Sequence, residues 1–160
     1  MSLSRRQLST YLFLLWAVPI AGCSGDLVSL LTGKPEEFPV KGSIEIRAIV
    51  KENGQVMPSW DGQESYTVAR QSHFTQQDFE SFSSFVNDDG EPVLLLRWKK
   101  SSIPAWAAFT EKHVKKKVAF VVTNKVVMAP VVQEKIDGPE IEILAGGGKL
   151  PHLIKALQGR

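Results

Sequence analysis

Apolar and polar residues alternate strictly at the start of the chain's main body. From Ser43 to Val50, Ile44, Ile46, Ala48 and Val50 interleave with Glu45 and Arg47, which predicts a strand with one buried face. Asn53 to Gln63 carries Gly54, Pro58 and Gly62 and reads as loop, followed by a short strand at Tyr66-Thr67-Val68-Ala69. Thr75-Gln76-Gln77-Asp78 is an N-cap signal and predicts a turn or two of helix before Phe79 and Phe82. Phe82 to Val86 and Pro92 to Trp98 flank Asn87-Asp88-Asp89-Gly90, the layout of a hairpin.

Helical spacing takes over next. Ser102 stands where a cap belongs and Pro104 falls in the first turn, while Ile103, Trp106, Ala107, Thr110 and Val114 share one face. Lys115-Lys116-Lys117 closes this helix as a solvated end, at the pole of the dipole that favours cations. Val118 to Val122 is apolar throughout, so both of its faces are expected to be buried. Thr123-Asn124-Lys125 turns the chain into Val126 to Val132, where Pro130 cannot donate to a ladder and therefore marks an edge or a bend. Glu140 to Leu144 alternates as a half-buried strand, Gly146-Gly147-Gly148 follows, and Pro151 opens a helix that packs through Leu153, Ile154 and Leu157. The elements add up to an α+β domain over residues 43–160: a single, mainly antiparallel sheet with two helices packed on it.

The N-terminus follows a different pattern. Arg5 and Arg6 precede the apolar run Tyr11 to Ile20, with no acidic residue before Asp26, as in a secretory signal. The run is about half the length a membrane-spanning helix needs. Ile20-Ala21-Gly22-Cys23 resembles the lipobox of bacterial lipoproteins, which implies cleavage before Cys23 and lipid on its thiol. Residues 1–22 are then a lipoprotein signal peptide and 23–42 a lipidated tether. Paired acyl chains such as palmitate anchor far better than one. Ser24 rather than Asp after the cysteine directs the expectation to the outer membrane of a Gram-negative host, with the body facing the periplasm. Ser4 to Leu8 also resembles part of a twin-arginine signal, although general secretion is the expected route.

Processing changes the charge. Of 19 basic and 17 acidic residues, residues 1–22 hold two basic ones, so the mature chain carries 17 of each and offers no basic excess for nucleic acid. Cys23 is the only cysteine, so no disulfide and no cysteine nucleophile is expected once it is acylated. His73, His113 and His152 are far apart in sequence and lack metal-ligand spacing. Neither metal nor other cofactor is expected. Gly146-Gly147-Gly148 lacks the Lys-Ser or Lys-Thr pair of a phosphate loop, and Asp88, Asp89 and Glu91 fit ordinary turn chemistry. Trp60, Tyr66, Phe74, Phe79, Phe82 and Phe85 read mostly as core.

Several segments together resemble one family, the head region of the first periplasmic domain of SecD, an accessory subunit of bacterial protein translocase. They are His73-Phe74-Thr75 with Asp78-Phe79, Asp89-Gly90-Glu91-Pro92-Val93, Phe109-Thr110, and Val118 to Val122 with Val126 to Val132, ending at Ile136-Asp137-Gly138. The resemblance covers about His73 to Leu157. Asp137-Gly138-Pro139 stands where the family usually has paired glycines. The resemblance implies the fold and a head that contacts emerging polypeptide, and it brings none of the charged membrane helices that the family uses with protons. The expected function is a non-catalytic protein-binding or accessory module of the cell envelope, linked to protein export; an envelope hydrolase is the alternative class. The expected partner is a protein or polypeptide, held along the edge at Met128, Pro130 and Val131, where a partner strand can add.

Overall fold

The computed structural model describes residues 35–146 and 148–160. Residues 1–34, which carry the expected signal peptide, Cys23 and most of the expected tether, lie outside the described residues.

Strand β1 (Ile44–Ala48) pairs antiparallel with β7 (Val118–Val122), Ile46 opposite Phe120. The two-residue strand β4 (Phe74–Thr75) flanks β1, and β8 (Lys125–Met128) flanks β7, giving the order β4-β1-β7-β8. The β7–β8 turn places Thr123 and Asn124 in the left-handed region at φ 48° and 63°. A register shift between Phe120 and Val121 turns Val127 toward the same core as Phe120. A second sheet is the hairpin of β2 (Gln55–Pro58) and β3 (Ser65–Val68). The third joins β5 (Phe79–Val86), β6 (Pro92–Trp98) and β9 (Glu140–Leu144) in that order, all antiparallel.

The expected single sheet is therefore three. The reason lies in β7, whose five residues are all buried. Val118, Phe120 and Val122 face the main core, while Ala119 and Val121 face the other way and pack with Met57, Val68 and Val126. One sheet with both helices on one side leaves that second face in water, and the β2–β3 hairpin covers it. Gly54 and Pro58 made β2 read as loop, but Pro58 is its last residue, where a missing donor is tolerated. The same hairpin corrects the half-buried reading of β1. Arg47 lies on the covered face, and its guanidinium donates to the carbonyls of Ala69 (2.9 Å) and Arg70 (2.6 Å) while pairing with Glu45.

Helices α1 (Ile103–Lys112) and α2 (Leu150–Leu157) complete the main core through Trp106 and Phe109, and through Leu153 and Leu157. Ser102 does not cap α1; its hydroxyl donates to Asp78 at 3.0 Å. The helix ends before Val114 and the three lysines, which lie in the connection to β7. Thr75 caps a single 3-10 turn at Gln76–Asp78, whose Asp78 carboxylate accepts the Thr75 N–H at 2.8 Å. Phe79 and Phe82 belong to β5 instead of a helix. Among the aromatics read as core, Phe74, Phe79 and Phe82 are buried and Trp60, Tyr66 and Phe85 half-buried.

The body also takes in residues upstream of Ser43. Phe38 bridges Phe82, Glu37 pairs with Arg97 at 2.9 Å, and the Lys41 and Gly42 N–H groups both donate to the Leu157 carbonyl. Gly42 lies so close to the Ala156 carbonyl that a Cβ there collides with it. Among the described residues no helix is long and apolar enough to cross a membrane.

Candidate polypeptide-binding groove

Pro130 interrupts the β8 ladder without ending it. Its carbonyl accepts the Val118 N–H at 3.0 Å, and the Val132 N–H donates to the Lys116 carbonyl at 3.0 Å. These bonds frame the bridge between Lys117 and Val131 as a non-hydrogen-bonded pair, so the N–H and C=O of Val131 point away from β7. The outer side of β8 is met only in part, where the Trp60 N–H donates to the Val126 carbonyl at 2.9 Å. Met128 and Pro130 are half-buried and Val131 is exposed.

A second edge faces this one. The Trp98 N–H donates to the Pro139 carbonyl and the Ala145 N–H to the Pro92 carbonyl, each at 2.8 Å. With Arg97 opposite Glu140 and Leu95 opposite Glu142, the backbone groups of Glu140, Glu142 and Leu144 point away from β6. Between the two edges lies a groove of about 390 Å³ with Trp106, Val118 and Phe120 as its apolar floor. Met128 and residues 130–134 form one wall and residues 140–142 the other. The connecting segment is tied to α1 by the buried Thr110, whose hydroxyl accepts the Ile136 N–H at 2.9 Å and reaches the Trp106 and Ala107 carbonyls. Arg97 bridges Glu140 (2.7 Å) and Glu37, fixing β9 from the outer face.

The structure thus brings Met128, Pro130 and Val131 onto one groove. Cys23 lies outside the described residues. The sequence reading missed the opposite wall, because the Glu-Ile-Glu-Ile alternation marks a half-buried strand without saying that it is at an edge. It also took Trp106 as part of a helix face that only covers the sheet.

Two other polar clusters occur. His73 and His113, 40 positions apart, flank the Phe109 ring with centroid distances of 4.7 and 4.1 Å. Burial, then the charges of His113 and Lys112, hold the His73 imidazole below its ordinary pKa. The third histidine, His152, lies beside Trp60. Around the 59–66 turn, the Ser59 hydroxyl donates to Asp61 at 2.6 Å and accepts the Glu64 N–H at 2.9 Å. The Ser59 hydroxyl and the Gln63 N–H keep the Asp61 carboxyl below its usual range. Among the described residues there is no group of three or more His, Cys, Asp or Glu placed to hold a metal.

Comparison with known proteins agrees with this architecture. The family model described as SecDF, P1 head subdomain, matches residues 52–149. The protein translocase subunit SecD of Aquifex aeolicus (strain VF5) is 28% identical over 117 residues, 65% of this chain and 23% of that protein's length. A solved structure of SecDF, a membrane component that enhances protein export, superposes with a TM-score of 0.59 at 15% identity, covering 75% of this chain and 62% of the other. SecDF in a super-membrane-facing form gives 0.55 at 15% identity, over 75% and 18%. At such identities the two structures speak for the fold alone.

Proposed function

The chain belongs to the SecDF P1 head subdomain family, and from that premise we propose that it is a non-catalytic accessory module of protein export that holds polypeptide on the outer side of the membrane. The observation that carries this reading is the groove, with unpaired backbone on both walls over an apolar floor. An extended chain gains backbone hydrogen bonds at such an edge and selectivity from the floor. In this reading residues 1–22 are a signal peptide, Cys23 carries the lipid, the segment from 23 serves as tether to a body that takes in residues from Glu37 onward, and the protein faces the periplasm from the outer membrane. A lipid tether keeps the groove in the periplasm, the compartment that exported chains enter.

The test is chemical crosslinking in the native envelope followed by identification of partners. Met128→Lys with Val131→Lys, on a chain whose melting curve shows it folded, is expected to abolish crosslinks to polypeptide. Crosslinks that persist unchanged remove the edge as the site.

A further inference from the structure

We infer that the groove selects an extended apolar segment bearing lysine or arginine, added as a strand to the outer edge of β9; this rests on the polypeptide-holding reading and names its partner's chemistry. Backbone, floor and charge each point to this partner.

The backbone groups of Glu140, Glu142 and Leu144 present alternating donors and acceptors at one edge, and Val131 presents another pair across the groove. A strand laid on β9 continues its pleat, so its side chains alternate between the two faces. Ile143 points into the core and Ile141 packs against it, and the incoming residues on that face meet the half-buried Ile141, Met128 and Pro130, which lie over the buried Trp106, Val118 and Phe120. Trp106 is 1% exposed and its Nε1 has no hydrogen-bond partner among the described residues. Val131 and Ile136, 38% and 37% exposed, leave apolar surface at the mouth.

Charge acts on the other face. The walls hold three carboxylates, Glu134, Glu140 and Glu142, and no lysine or arginine. Glu140 is already paired with Arg97, whereas Glu134 and Glu142 have no ion-pair partner among the described residues. Residues on the outer face of the added strand lie beside Glu142, where a cation is attracted and a carboxylate repelled. An apolar segment with interspersed cations satisfies both faces.

The test uses the full-length chain in detergent and three short fluorescent peptides in which valine alternates with lysine, with serine or with glutamate, read by anisotropy. The valine–lysine peptide is expected to bind tightest. Glu134→Gln with Glu142→Gln, both exposed and with no side-chain hydrogen bond or ion pair among the described residues, is expected to weaken it roughly fivefold, as for two solvent-exposed ion pairs, and to leave the valine–serine peptide unchanged. Hydrogen exchange is expected to show the Glu142 and Leu144 amides protected by the bound peptide. Equal affinity for the three peptides, with all three lost in the Met128→Lys, Val131→Lys chain, overturns the charge selection and leaves the polypeptide-holding reading intact. Lysine-dependent binding without protection on β9 overturns strand addition. Failure of every peptide to bind sinks the inference, and the envelope crosslinks then decide the broader reading separately.

Discussion

Val121 is 2% exposed and packs on the far side of β7 against Met57 and Val68. Val121→Asp places a carboxylate between two apolar layers, at a cost of several kcal/mol, comparable with the whole stability of a domain of this size. Loss of the cooperative melting transition is the expected outcome, and a melt unshifted from wild type contradicts the packing. His73 makes a gentler prediction. Because its folded pKa is depressed, the unfolded chain takes up the proton first as pH falls. Stability is then lost as pH drops from about 6.5 toward the folded value. His73→Gln is expected to lessen the fall in Tm between neutral pH and pH 5, in proportion to a site that is largely solvent-exposed. The burial of Val121 was legible, since the apolar run Val118 to Val122 predicts burial on both faces; the proximity of His73 to His113 was not, because it depends on β4 lying close to the end of α1.

Thr110 shows how an element holds the groove in shape. Its hydroxyl accepts the Ile136 N–H and so fastens the 133–139 connection to α1. Thr110→Val keeps the volume and strands that N–H, a loss of about 1 kcal/mol in Tm-derived stability, with faster amide exchange at Ile136 as the specific sign. Unchanged exchange there shows the wall to be held by other contacts. The 82–98 part of the hairpin β5–β6, the strand β9 and both helices were legible from their period and turn signals, and β7 from its unbroken apolar run; the Asn87 carboxamide oxygen accepting the Glu91 N–H is such a turn realised. β2 was not legible, since four residues ending in proline carry little period and its only buried residue is Met57. Pro130 announced an edge or bend, and β8 is indeed an edge strand.

At the scale of the molecule, period told which faces are apolar but not which faces meet. Three sheets share the work because β7 is apolar on both sides, and the groove arises where the edge of one sheet passes the edge of another. No local signal encodes that meeting. Anchoring belongs to this scale too: Cys23→Ser is expected to abolish incorporation of a fatty-acid analogue and to leave the signal uncleaved, since only the thiol accepts the diacylglyceryl group. Label in the mutant equal to wild type contradicts the anchor. Polypeptide capture at the groove is tested by a photo-crosslinking amino acid placed at Val131 in the native envelope, beside a control at Val56, which is more exposed, at 68%, and is not among the groove-lining residues. Adducts to polypeptide at Val131 and none at Val56 are predicted; equal adducts at both positions, or none at Val131, contradict it.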